Sequence, residues 1–309
     1  MLGRAIPRLA PVALAAGLFH AAASGARAQS IEPRAYAPAP TGVNFLLLGY
    51  AHAQGGPSID TSLPVSDAKL EVDGPIVGYV RTLDLWGKPA KVDVIAPYEW
   101  LSGSAIYQGR PVQRSVDGFG DPLMRLSVVL YGASAMTPAA FKAYRQDVII
   151  GASLQVSVPL GQYDAGKLLN IGTNRWSFKP EVGISKAIGP WSLEGQGSVT
   201  LFTDNPNFFN SGRRSVSPLY SGQMHAIYNF RSGVWTSLDA TYFTGGRTTL
   251  NGIVHHDLQE NWRVGATLAI PVTARHSIKL YASAGVMART GNNFDLAGVA
   301  WQYRWGAGL

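Results

Sequence analysis

The dominant period along the chain is two. Ile150, Ala152, Leu154, Val156, Val158 and Leu160 are apolar, while Gly151, Ser153, Gln155 and Ser157 between them are not. Trp176, Phe178, Pro180, Val182 and Ile184 then alternate with Ser177, Lys179, Glu181, Gly183 and Ser185. Val92, Val94, Ala96, Tyr98 and Trp100 alternate with Lys91, Asp93 and Glu99, and Trp262, Val264, Ala266, Leu268 and Ile270 with Arg263, Gly265 and Thr267. Such alternation puts one set of side chains on each face of an extended strand; the spacing of three and four that a helix needs is missing. Marking each segment predicts twelve strands, over residues 42–53, 72–85, 90–101, 121–131, 147–160, 175–187, 191–202, 219–230, 234–244, 261–271, 277–288 and 294–305.

The connections alternate too. After even-numbered strands they are mostly tight, as at Gly87-Lys88-Pro89, Ile188-Gly189-Pro190, Arg231-Ser232-Gly233 and Thr273-Ala274-Arg275-His276. After odd-numbered strands they are mostly long and polar, over 54–71, 102–120, 161–174, 203–218 and 245–260. The even connection 132–146 departs from the rule: Thr137 to Tyr144 predicts a short helix with Thr137 as N-cap and Pro138 as its first residue. Short turns on one side and long loops on the other describe a transmembrane β-barrel, although a soluble antiparallel barrel or sandwich could share the pattern. Strand length favours the membrane, because soluble strands average only ~5–6 residues while a tilted spanning strand needs ~9–11. Aromatic residues gather at strand ends (Trp86, Trp100, Trp176, Trp191, Trp262, Trp301, Trp305), as two interfacial girdles require. Twelve is even, so both ends of the barrel fall on one side. The expected fold is all-β, a transmembrane antiparallel up-and-down barrel.

If the apolar set faces lipid, the residues between it line a lumen. The lumen candidates are Lys91, Asp93, Glu99, Arg125, Gln155, Lys179, Glu181, Glu194, Gln196, His225, Asp239, Arg263 and Lys279. Both signs are present, so buried charges can pair across strands. This supports either a salt-bridged interior that holds the barrel round or a passage whose mixed polarity sets selectivity.

The chain has 309 residues, 46% of them hydrophobic and 15% charged, with 35 Gly and no Cys. That composition excludes disorder. The missing Cys excludes disulfides, Cys-ligated zinc and a thiol nucleophile. Residues 1–28 read as a secretory signal peptide: Arg4 and Arg8, an apolar run from Leu9 to Ala23, then Ala26-Arg27-Ala28 before Gln29. Its three Arg and lack of acids reduce the formal charge from +7 to +4 on cleavage, and no basic block argues for nucleic acid. No later stretch approaches 18 apolar residues, which excludes a helical membrane protein. The domain plan is thus signal peptide 1–28, a periplasmic N-terminal segment 29–41, and an outer-membrane barrel 42–309.

Enzyme signals are weak. His255-His256-Asp257 falls in a long loop, reads as solvated, and has no third metal ligand at suitable spacing. Nothing places a Ser beside His52 or His225, and the nucleophile-elbow pattern is absent. No phosphate loop, calcium site, catalytic residue, metal or cofactor is expected.

Several segments resemble a known family. Ser153 to Tyr163 (SLQVSVPLGQY), Asn170 to Glu181 (NIGTNRWSFKPE), Gly118 to Pro122, Tyr242 to Gly246 and Asn261 to Gly265 are similar to the family named after the meta-cleavage pathway of phenol degradation. The resemblance covers most of the chain from about Gly42 to Trp305. It implies a transporter-like barrel of the Gram-negative outer membrane, passing aromatic or other small hydrophobic compounds. It supplies no catalytic or binding residues. Barrels of this kind usually end on an aromatic residue, whereas Gly306-Ala307-Gly308-Leu309 follows Trp305 here. The expected partners are outer-membrane lipid, a small solute and the barrel assembly machinery. Passive diffusion of small hydrophobic solutes leads; a non-transporting structural or surface-interaction barrel and a lipid-modifying enzyme follow.

Overall fold

A strand with two distinct faces is stable in a bilayer only where its backbone groups are paired on both edges and its apolar face meets lipid. The computed structural model, which describes residues 31–56, 65–107, 109–209, 212–288 and 293–307, meets that condition by closure. In chain order its elements are β1 (Val43–Gly56), β2 (Val65–Leu85), β3 (Lys88–Tyr107), β4 (Arg110–Phe119), β5 (Leu123–Tyr131), α1 (Pro138–Ala143), β6 (Val148–Ser157), β7 (Ser177–Ile188) and β8 (Trp191–Phe202). They continue as β9 (Asn205–Phe208), β10 (Gly212–Val216), β11 (Leu219–Asn229), β12 (Trp235–Gly245), β13 (Thr248–Leu250), β14 (Ile253–Val254), β15 (Gln259–Pro271), β16 (His276–Ala288) and β17 (Asn293–Gly306).

Twelve of these strands form one antiparallel ring in the order β1-β2-β3-β5-β6-β7-β8-β11-β12-β15-β16-β17. The ring closes where β1 meets β17, from Val43 opposite Gly306 to Gly56 opposite Asn293. Each expected strand corresponds to one of the twelve. The fold is a transmembrane β-barrel. Val182, Ile184, Leu193, Leu238 and Met224 stand exposed on its outside, as lipid-facing positions should.

The turn end is built economically. Trp86 and Gly87 both have positive φ, 52° and 79°, which is the twist a two-residue hairpin needs between right-twisted strands. The expected helix is present as α1, where the Thr137 hydroxyl accepts the Ala140 N–H at 3.3 Å.

The loop end carries structure beyond the sequence expectation. β2 and β3 are 21 and 20 residues long, about twice what a tilted crossing requires. β4 folds back along the outer half of β3, so residues 110–119 of the expected 102–120 loop are strand. Segments 203–218 and 245–260, expected as polar loops, contribute β9, β10, β13 and β14 to a separate four-stranded sheet. These strands are too short and irregular for the period to register. The expected signal peptide, residues 1–28, lies outside the described residues, as do Gly308 and Leu309.

Val182 sits mid-strand on the outer face, so Val182→Arg should destabilise the barrel by ~2–4 kcal/mol if it lies at the bilayer midplane. Urea unfolding of lipid-embedded protein measures this. An unchanged midpoint would show that this face does not meet lipid.

Candidate functional site: the barrel interior and the segment within it

The interior has two unlike walls. On the arc from β17 through β1 to β2 the inward positions are mainly apolar: Phe45, Leu47, Val72, Ile76 and Val80 form one buried cluster with Leu296 and Ala300, joined by Ile95 and Leu101 of β3, whose inner face also carries Lys91, Asp93 and Glu99. None of these apolar residues is among the lumen candidates named from the sequence. In β1 the run Phe45-Leu46-Leu47-Leu48 supplies both faces at once, Leu47 inward and Leu48 to the outside.

The opposite arc carries charge. Asp93, Arg125, Lys179, Glu181, His225, Asp239 and Lys279 are buried inside the barrel. Arg125 donates through Nε to Asp93 at 2.8 Å, and Lys179 pairs with Glu181 at 3.2 Å. His225 Nδ1 lies 2.7 Å from Asp239 Oδ1, and the Ser237 hydroxyl donates to the other Asp239 oxygen at 3.0 Å. Since Ser237 bonds the acid rather than the imidazole, this is not a nucleophile–base–acid relay. Glu99 and Arg263 are buried towards the loop end. Arg263 donates to the Phe294 carbonyl (2.9 Å) and the Ser283 hydroxyl (2.8 Å), with its guanidinium 3.7 Å from the Phe294 ring centroid.

Between the walls runs the chain itself. Residues 31–40, expected on the periplasmic side ahead of the barrel, are all buried within it. The reason is a set of matched partners. Glu32 pairs with Arg125, its backbone N–H donates to Gln223, and its carbonyl accepts from Gln196. The Arg34 backbone N–H donates to Glu194 at 2.7 Å, and its guanidinium bonds Asn229 and lies 4.7 Å from the Trp235 ring centroid. Lys91 Nζ donates to the Ala35 carbonyl at 2.7 Å. The Tyr36 hydroxyl donates to Glu181 at 3.0 Å and lies 3.3 Å from Ser153 Oγ. Its ring occupies the space left by Gly151 and Gly183, a cross-strand pair in which a Cβ on either residue would overlap the ring. At the turn end the Thr82 hydroxyl donates to the Pro40 carbonyl at 2.6 Å.

Six candidates thus converge on this segment or its partners: Lys91, Asp93, Arg125, Lys179, Glu181 and Glu194. Gln196 joins them, and Gln155 is half-buried in register with Arg125 and Lys179. Of the other candidates, His225 and Asp239 bond each other, and Arg263 bonds Phe294 and Ser283. Glu32, Arg34 and Tyr36 were not foreseen. Their spacing by two among Pro33, Pro38 and Pro40 is the available signal; the chain turns over residues 33–36, where Arg34 has a φ of 65°.

A second insertion enters from the loop end. Ile171 of the 158–176 connection is buried in the apolar cluster, and Asp121 anchors that connection through the Gly161 and Thr173 N–H groups at 2.9 and 2.8 Å. Arg175, at its end, packs 4.5 Å from the Phe202 ring centroid; burial, reinforced by Arg214, lowers its pKa to about 9 against the pull of Asp121 and Asp204. His255 and Asp257, expected to be solvated, are buried, and Asp257 accepts from the Thr248 backbone and hydroxyl. On the outer wall His52, Glu71 and Asp73 place potential ligand atoms within 4.8 Å of one another, with His52 bonded to Asp73.

The family model described as "Putative MetA-pathway of phenol degradation" matches residues 51–303. The chain belongs to this family. Among curated proteins none matches the sequence. Among solved structures, an outer membrane channel from Pseudomonas putida F1 is similar with a TM-score of 0.75 at 19% identity, covering 89% of this chain and 100% of that one. The transport unit of the autotransporter AIDA-I from Escherichia coli has a TM-score of 0.52 at 9% identity, covering 90% and 94%. The β domain of the Bordetella autotransporter BrkA has 0.50 at 12%, covering 86% and 100%. At these identities the likeness is one of fold.

Gly183→Val should expel the Tyr36 ring from its seat and loosen the segment. In the folded barrel, residues 31–40 should then be cut by added protease that leaves the wild type intact. Equal protection in both would show that the glycine seat does not hold the segment.

Proposed function

We propose that this protein is an outer-membrane channel for small hydrophobic or aromatic solutes, exported with a cleaved signal, whose passage is controlled by its own N-terminal segment. The observation that supports this reading best is the continuous apolar wall from Phe45 and Leu47 through Ile76 and Val72 to Leu101. A barrel that only had to stay round could fill this arc with paired polar groups, as it does opposite. An apolar strip running towards both ends offers a nonpolar solute a path without desolvation cost. Family membership and the outer-membrane barrel fold agree with such a role.

The segment 31–40 is held chiefly by hydrogen bonds, the ion pair of Glu32 with Arg125 and the Tyr36 ring, with Ala35, Ala37 and Ala39 contributing little side-chain area. Such a peptide can be displaced without unfolding the wall, which is the property a gate requires. A second reading, a non-transporting barrel, draws support from the same filled lumen and from the pairing of Arg125 with Glu32 and Asp93.

Uptake of an apolar fluorescent dye by intact Gram-negative cells separates the two, because an intact outer leaflet retards such dyes. Cells producing the protein should take up dye several-fold faster than vector controls, and a variant lacking residues 31–40 should be faster still. Folded barrel in the membrane with uptake at the control rate would overturn the channel reading.

A further inference from the structure

Strands β1 and β2 pair with His52 opposite Asp73. The period of two places His52 on one face of β1 with the exposed Leu48 and Tyr50. It places Asp73 and Glu71 on one face of β2 with the exposed Val77 and Tyr79, so all three polar side chains stand outside the barrel. His52 Nδ1 lies 2.9 Å from Asp73 Oδ1. Glu71 follows on the same face, opposite Gln54, and one ligand atom from each of the three lies within 4.8 Å of the other two. Their height on the wall is marked by aromatic residues. Trp100 stands opposite Asp73 on β3 and packs against Tyr98, which packs against Phe119, while Tyr50 lies one outward position from His52 towards the turn end. Such a belt sits at the level of lipid headgroups, where polar groups stay in reach of water and ions. The His52 side chain is 40% exposed and that of Asp73 29%. Lys69 follows Glu71 by two on the same strand, yet pairs with none of the three.

We infer that His52, Asp73 and Glu71 form a binding site for one divalent first-row transition-metal ion of the zinc class, with its remaining coordination open to the headgroup layer. This goes beyond the channel reading and does not depend on it. The donor set selects the class of ion. Imidazole with carboxylate oxygen suits zinc and its neighbours, whereas calcium and magnesium ask for about six or more oxygens. With the imidazole as a neutral ligand, the two carboxylates balance the charge of the ion. The distances fit as well. Donors bound at about 2.0–2.2 Å to one ion lie about 3.0–3.5 Å apart, so the His52–Asp73 contact is already close to a ligand–ligand edge. Binding replaces that hydrogen bond, and only Glu71 has to swing inward, which a long side chain on an open strand face does by rotation. The backbone beneath needs no ordering, because β1 is paired to β17 and β2 to β3 on either side of the cluster. A plain His–Asp pair accounts for the 2.9 Å contact but leaves the approach of Glu71 unexplained. Sequence spacing hides the site, because its ligands meet only through the register of β1 with β2.

Equilibrium dialysis of the untagged, folded protein in zwitterionic nanodiscs against zinc, with empty nanodiscs subtracted, tests this. Zinc should saturate at one ion per chain and bind much more tightly than calcium. His52→Ala and, separately, Asp73→Asn should each weaken zinc binding about 10–100-fold. His256→Ala, in the connection after β14, should leave it unchanged. Zinc should also slow the modification of His52 by diethylpyrocarbonate, read by mass spectrometry, while the exposed His256 reacts as before. That comparison uses the wild type alone and stands should a substitution prevent folding. Calcium bound as tightly as zinc would mark a diffuse acidic surface and overturn the inference. No saturable zinc binding, or equal affinity in folded His52→Ala, would overturn it as well.

Discussion

Hydrocarbon offers no partner to an N–H or C=O group, so every one that crosses the membrane must be satisfied within the protein. Here that constraint is met by the unbroken antiparallel pairing of β1 with β17, which turns twelve strands into a ring without an edge. Everything else depends on closure. It gives each strand one lipid face and one interior face, and therefore permits a chain with few charges to be stable outside while charges are kept within. It also creates an interior whose chemistry is set strand by strand. The inner faces of the first two strands and the last are mainly apolar, β3 carries both kinds, and most of the buried charge lies on the remainder.

That division explains why a peptide can occupy the lumen. Unpaired charge in a low-dielectric space is costly, and removing one member of a buried pair typically costs several kcal/mol. Arg125 and Glu194 meet this requirement by accepting Glu32 and the Arg34 backbone from residues 31–40. The segment is thus part of the electrostatic balance of the barrel rather than an appendage. The apolar arc makes far fewer demands on it, touching it mainly at Ala39.

The barrel was legible in the sequence because lipid on one side and water or protein on the other enforce a strict period of two. Lys179 and Glu181 against Phe178, Val182 and Ile184 could hardly be read otherwise. What escaped was whatever broke that period or did not rely on it. Phe45-Leu46-Leu47-Leu48 reads as strand, yet alternation cannot report that its inner face is apolar too. The Ile31 to Pro40 peptide takes its place from partners scattered over 160 or more residues, such as Glu194 and Gln223, and no local pattern encodes that. The glycines that seat Tyr36 look like ordinary small interior residues until the ring is in view. Strand β4 and the outer sheet were missed because short, exposed hairpins need no amphipathic pattern.

The central claim is that passage requires residues 31–40 to leave the interior. The absence of Cys makes this directly testable, since any introduced pair is free of competitors. Ala35 and Val129 belong to one buried cluster, so Ala35→Cys with Val129→Cys should tether the segment to β5 in the oxidising periplasm. Dye uptake by intact cells producing this variant, measured before and after a membrane-permeant reductant, is the decisive comparison. The account predicts uptake near the vector level when the tether is formed and recovery on reduction. Equal uptake in both states, with the disulfide shown to form and break, would contradict it.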